Sequence, residues 1–293
     1  MNELIIDSKY VGVPWKQVIK EVTWRMTTNY AAAIGDENPL YFDDESEEGL
    51  LTHPMFAVTL GWPLAQKIKE YIDLPYSDEA LARNVHYTEY LDLRKPIKPG
   101  DKVKICSDIA AVVPHRSGTE VVFRFKVTDM DGGIYHIEHM GVMLRGVTCP
   151  DGGKGEADLP ARPRAGSDQA AWSSEVKIAK TLPYVYDGCT DIVFDIHTSP
   201  AYAHSVGLPD IVVQGTASLA LSVREIVSKE PGGDPRGICA IGARFTGMVF
   251  AGNTVSVELL ERRKAPAGTE LFFRTINKDT GKVAVSDGYI KIG

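Results

Sequence analysis

The 293-residue chain lacks several common signatures, and each absence narrows what it does. It has no excess of cations. Thirty-nine acidic residues against 32 basic ones leave a formal charge of −7, with no Lys/Arg block to attract nucleic acid. No apolar run reaches the roughly 18 residues that a membrane-spanning helix requires. The opening "MNELIIDSKYVGVPWKQ" has early acids and no apolar core, so no secretory leader is expected. Cysteine is scarce and scattered, at positions 106, 149, 189 and 239, without CxxC spacing. His136 and His139 stand three apart with no thiol nearby, so no zinc site and no redox motif is expected. A reducing cytoplasm suits this cysteine usage.

What is present is ordinary globular composition: 44% hydrophobic and 24% charged residues, enough for two domains of about 150 residues. The stretch "TCPDGGKGEADLPARPRAGSDQAAWSS" (148–174) is rich in Gly, Pro, Ala and charge, lacks periodicity, and reads as a linker. It separates residues 1–147 from residues 175–293.

The two parts resemble each other. The first has a helix within "HPMFAVTLGWPLAQKIKEYID", followed by the strands "NVHYTEYLDLRKPI", "DKVKICSDIAAVV", "TEVVFRFKVTDM" and "IYHIEHMGVMLRGV". The second has a helix near "GTASLALSVREIVSKE", then "ICAIGARFTGMVF", "NTVSVELLERRK", "GTELFFRTINKD" and "KVAVSDGYIKIG". These strands alternate or run apolar over strand lengths. Gly100-Asp101 and Gly252-Asn253 are matching turns, as are "DMDGG" and "KDTGK". One helix ahead of antiparallel strands, twice over, predicts a duplicated α+β fold with the sheets paired edge to edge.

The chemistry gathers ahead of each helix. In "DIVFDIHTSPAYAHSVGLPDIVVQGTASLAL", Asp191 and Asp195 precede His197, and Gln214-Gly215 opens the helix. An Asp–His pair can hold a water with the imidazole as base. The backbone N–H groups at Gly215 and the helix dipole can stabilise an enolate. On residue chemistry alone, a loop histidine with capping aspartates accounts for the same letters. In the first half, "YAAAIGDENPLYFDDESEEGLL" offers Asp36 and Asn38 in a tight turn and Tyr41 where a second polar group would point. Tyrosine is a poor base, since its reference pKa is about 10. The acidic run 43–48 reads as a solvated surface segment. His53 reads as a cap or a substrate contact. His86, His136 and His139 fall on strands.

These residues resemble the MaoC-like acyl dehydratases, the (R)-specific enoyl-CoA hydratase family with the hot-dog fold. Its turn runs roughly G-D-x-N-P-[LI]-H-x-D-P, and "GDENPLYFDD" matches it with Tyr41 at the histidine position. The second stretch fits the variant D-I-W-N-P-I-H-T-D…A-G-L-P-D-I-[IV]-L-H-G-T-A. There Phe194 replaces Asn, Asp195 replaces Pro and Gln214 replaces the second His. The resemblance implies two fused hot-dog units: a degenerate N-terminal one that shapes a substrate tunnel, and a catalytic C-terminal one. It implies Asp191 and His197 as the catalytic pair and Gly215 as the oxyanion donor. Asp195, Gln214, Asp36, Asn38, Tyr41 and His53 are secondary candidates. The implied reaction is reversible hydration of a 2-enoyl thioester, with coenzyme A or a carrier-protein phosphopantetheine as part of the substrate and no other cofactor or metal. A thioesterase and a catalytically degenerate thioester-binding subunit are the alternatives, and a homodimer or partner subunit is compatible with either.

Overall fold

The computed structural model describes residues 4–47, 49–230, 232–266 and 268–293; Glu48, the last residue of the acidic run, lies outside them. The strands are β1 (Val18–Glu21), β2 (Asn84–Leu93), β3 (Lys102–His115), β4 (Gly118–Thr128), β5 (Ile134–Arg145), β6 (Trp172–Lys177), β7 (Ile238–Phe245), β8 (Thr254–Ala265), β9 (Gly268–Asn277) and β10 (Lys282–Ile292). They form one ten-stranded sheet in the order β1-β3-β4-β5-β2-β7-β10-β9-β8-β6. The order is a palindrome of the duplication, with β1 matching β6, β3 matching β8, and β2 matching β7.

The halves join where β2 pairs antiparallel with β7, Thr88–Asp92 against Ala240–Arg244. The open edge that each half would otherwise expose is consumed by the other. Alternation drives the strands: in β3 the side chains of Val103, Ile105, Ser107 and Ile109 are buried while their neighbours are not. Gly100 and Gly252 each feed a strand at φ of 92° and 87°, a region that β-carbons disfavour.

The helices are α1 (Trp24–Ala33), α2 (Val58–Gln66), α3 (Ile68–Tyr71), α4 (Asp78–Leu81), α5 (Leu182–Thr190), α6 (Asp195–Thr198), α7 (Pro200–Ser205) and α8 (Gly215–Lys229). A 3-10 turn, Pro54–Ala57, leads into α2. The single helix expected after His53 is therefore three short pieces, with Pro63 inside α2 denying it a backbone donor. The second central helix is continuous. Every residue of α8 from Thr216 to Val223 is buried, so this stretch is enclosed on all sides, by the sheet and by the turn before α2. A polar substitution at Leu219, which is fully enclosed, would forfeit about 1.5–3 kcal/mol of burial.

Helices α1, α4, α5, α6 and α7 and strands β1 and β6 were not anticipated. Helices α1 and α5 meet at the Tyr30 and Tyr186 hydroxyls, 3.2 Å apart and buried, which ties the halves together on the helical side. Strand β6 begins at Trp172, inside the segment read as linker. The rest of that segment crosses the sheet: Lys154 bridges Val112 on β3, Arg162 reaches Glu120 on β4, and the Gly166 N–H donates to Glu261 on β8.

Candidate active site

In the C-terminal half the chain leaves α5 at Asp191, which adopts a left-handed conformation (φ 58°) as the C-cap. Four residues later α6 begins, with His197 as its third residue, and Ser199 then caps α7 through the Tyr202 N–H. The chain returns through Val212, which bridges Phe250, to reach Gln214 and the start of α8.

His197 is anchored by this return. Its Nδ1 lies 2.6 Å from the carbonyl oxygen of Val212. A carbonyl only accepts, so Nδ1 carries the proton and donates, which leaves the Nε2 lone pair bare. Among the described residues no protein group engages Nε2. Burial pulls the imidazole pKa down to about 4, against a smaller upward pull from the Val212 carbonyl. The ring is therefore neutral near pH 7 and presents an acceptor.

Gly215 is the first residue of α8, where the leading N–H groups lack partners within the helix. A β-carbon here would sit 3.2–3.3 Å from the Phe245 ring, so glycine permits a close approach. Gln214 is the N-cap residue, but its side chain makes no capping bond. It is buried, its Nε2 donates to the Pro183 carbonyl at 3.0 Å, and its Oε1 has no partner. The site thus brings together His197, Gln214 and Gly215 along one short return.

The carboxylates sit apart from the ring. Asp191 and Asp195 are exposed, and among the described residues neither forms an ion pair with His197 within 4 Å. Both instead press electrostatically on Asp187, one turn earlier on α5. Asp187 has a buried, unpartnered Oδ2, and its carboxyl pKa is raised by burial and by those two neighbours. Asp187 escaped the sequence reading; its only sequence signal is the i, i+4 spacing to Asp191 on one helix.

The N-terminal counterpart differs in each respect. Asp36 Oδ2 lies 3.6 Å from His53 Nε2, the one carboxylate–imidazole approach within the candidate set among the described residues. His53 Nδ1 accepts the Met55 N–H at 3.1 Å, so the proton is on Nε2 and no lone pair is left for a substrate proton. Burial, with help from the Arg224 charge, pushes its pKa down to about 3. Asn38 caps Leu40 through its side-chain oxygen and donates to the Gly233 carbonyl at 2.6 Å, a clamp between the halves. Tyr41 is buried beside His53, its hydroxyl unpartnered and its pKa raised by burial. Pro54 stands where the other half has Gly215, so this helix start has no N–H at its first position. A cavity of about 670 Å³ opens beside His53, not beside His197.

Family models match both halves: a MaoC-like domain over residues 175–286 and a FAS1-like dehydratase-domain region over residues 9–132. The chain has a double hot-dog fold with a MaoC-like domain in its C-terminal half. The MaoC-like match contains His197 and Gly215, whereas Asp36, Asn38, Tyr41 and His53 fall in the FAS1-like region. A relative of this chain is the 3-hydroxyacyl-thioester dehydratase Y of Mycobacterium tuberculosis, 26% identical over 97% of this chain and 94% of the relative. Another is the peroxisomal multifunctional enzyme type 2 of Drosophila melanogaster, 22% identical over 89% of this chain. The chain spans only 43% of that enzyme. Among solved structures, a MaoC-like dehydratase from Phytophthora capsici superposes with a TM-score of 0.83. It is 21% identical and covers 97% of this chain and 98% of its own, a likeness that concerns the fold.

Proposed function

We propose that the chain catalyses reversible addition of water across the C2=C3 bond of a 2-enoyl thioester, giving a 3-hydroxyacyl thioester. The observation that carries the reading is the His197 tautomer: Nδ1–H committed to Val212, and a bare, neutral Nε2 in the half with the MaoC-like match. Relatives named as dehydratases and hydratases of acyl thioesters support the same reaction class.

In this reading Nε2 of His197 takes a proton from water as the water oxygen bonds to C3. The electron pair of the double bond moves toward the thioester oxygen, where the Gly215 N–H receives the negative charge. The proton held on Nε2 then passes to C2, with Asp191 helping to move it, which completes the addition and returns the ring to its neutral form; dehydration is the reverse. Asp191 orients the water, with Asp187 as the competing carboxylate. The thioester itself acidifies the α-position, so the residues present suffice without a metal or redox group. Coenzyme A or phosphopantetheine enters as part of the substrate. The β2–β7 seam already supplies the pairing that two separate hot-dog subunits would make, so the proposed site needs no second copy. Four free thiols suit a reducing cytoplasm.

The test is incubation with crotonyl-CoA and longer enoyl-CoAs, following loss of the enoyl-thioester absorbance. Wild type should turn over and His197→Ala should lose about 10²–10⁴-fold. Release of free thiol from a saturated acyl-CoA, without hydration of the enoyl compound, would replace this reading with a thioesterase.

A further inference from the structure

The cavity beside His53 has no part in the mechanism above, yet it is built like a ligand site. It measures about 670 Å³, within the range that holds a small organic ligand. Its walls come from both halves: Phe56 and Ala57 from the turn before α2, Leu93 and Ile97 from the end of β2 and the loop after it, and Ile238 from β7. The wall is thus largely apolar, with two imidazoles set deep in it. His53 and His136, the latter on β5, are each 1% exposed, and the Nε2 of each has no hydrogen-bond partner. Burial also holds the His136 imidazole neutral, with a pKa pulled down to about 3. A buried nitrogen left unpaired is costly, and a ligand oxygen or N–H is the group that relieves it.

The charge around the cavity is one-sided. Five charged side chains contribute to its lining, and four of them are cationic: Arg94, Lys95, Lys98 and Arg236, against Glu47. Each of Arg94, Lys95 and Arg236 also holds an aspartate behind it (Asp92, Asp129 and Asp234), so the cations are fixed in place around the lining. An apolar chamber with buried imidazoles and basic groups around it matches an apolar acyl group attached to a phosphate-bearing carrier.

We infer that this cavity is a second, non-reacting binding site for an acyl thioester of coenzyme A, distinct from the site at His197. The ligand class rests on the hydratase reading; the separateness of the site rests on its own geometry. Binding without reaction follows from the same residues. Pro54 supplies no N–H to a thioester oxygen, the Met55 N–H is already given to His53, and the His53 lone pair is thereby spent. A bound enoyl group would meet no base and no backbone oxyanion donor at this helix start.

The experiment is a binding stoichiometry with octanoyl-CoA, which has no double bond to hydrate, measured by calorimetry on the full chain. Wild type should bind two per chain. Ala57→Trp, which fills the chamber, should bind one and keep its crotonyl-CoA hydration rate. The exposed pair Lys98→Glu/Arg236→Glu, away from the core, checks the charge independently of folding: the second site should weaken at least tenfold and the first should not. One site per chain in wild type overturns the inference. So does loss of hydration in Ala57→Trp that still shows the wild-type circular dichroism, because the chamber would then belong to the reacting substrate. Two sites falling to one in a chain that hydrates no enoyl-CoA would support this site while removing the hydratase reading.

Discussion

The state of His197 makes a pH prediction that separates it from an ordinary histidine. The perturbation is acid. The working form is the neutral ring, so kcat/KM falls as pH drops through the folded-state pKa and is flat above it. With that pKa at about 4, about nine-tenths of the rings are neutral at pH 5; an ordinary imidazole at 6.5 would leave about 3%. The two cases differ about 30-fold in rate at pH 5. The assay is kcat/KM for crotonyl-CoA from pH 4.5 to 8, with circular dichroism at each pH to confirm that the chain is folded. A single acid limb centred near 6.5 would refute the argument that burial and the Val212 carbonyl fix this tautomer. The linkage runs the same way for stability. A histidine whose folded pKa lies below its unfolded value binds fewer protons folded than unfolded, so stability is complete above about 6.5 and declines between 6.5 and 4. At pH 5 His197 alone accounts for about 2 kcal/mol of lost stability. His53 and His136, both held near 3, push in the same direction.

Other consequences can be checked on single variants. Gly215→Ala forces the Phe245 ring to give by a few tenths of an ångström and intrudes on the oxyanion donor; turnover should fall about 10- to 100-fold with stability lowered by about 1 kcal/mol in chemical denaturation. Asp191→Asn should lower kcat more than Asp187→Asn, with KM little changed; the reverse ranking in folded protein transfers the water-orienting role to Asp187. Tyr41→Phe removes a buried hydroxyl that has no partner, so the denaturation midpoint should stay level or rise and hydration should persist. Glu138 is buried against the α2 backbone at Gly61, its oxygens unpartnered and its pKa raised by burial and by Glu89. The folded chain keeps that proton while the unfolded chain loses it above about 4.5, so this group alone opposes the histidine trend by up to about 1.4 kcal/mol per pH unit, and the stability of wild type relative to Glu138→Gln should decline as pH rises.

Much of the architecture was legible because β-structure writes itself in local patterns. All eight long strands follow apolar runs or alternation, and the repeated Gly100-Asp101 and Gly252-Asn253 turns align the halves. The missed strands β1 and β6 have four and six residues, too short for a period-2 pattern to stand out from their surroundings. Helices α1 and α5 were hidden for a different reason. Their stability comes from packing on each other through Tyr30 and Tyr186, which are 156 positions apart in sequence. No window reads such a contact. The helix expected from His53 onward was right in place and wrong in continuity, because its first turn is 3-10 and Lys67, at φ −111° and ψ 34°, leaves the helical conformation between α2 and α3.

For the site, residue letters carried the candidates but not their roles. His53 and His197 are both histidines near the start of a central helix, and sequence offers no way to rank them beyond their motifs. The distinction is one hydrogen bond each. His53 accepts from a backbone N–H and His197 donates to a backbone carbonyl, which gives the two rings opposite tautomers. Proline at 54 and glycine at 215 act in the same direction, withholding a donor in one half and exposing it in the other. The closer carboxylate, Asp36 at 3.6 Å, therefore sits beside the ring that cannot accept a proton through Nε2, and the half with no tight Asp–His contact retains the usable base. Proximity of an acid to an imidazole would favour the N-terminal half; under the proposed function, the direction of the backbone hydrogen bond favours the C-terminal one.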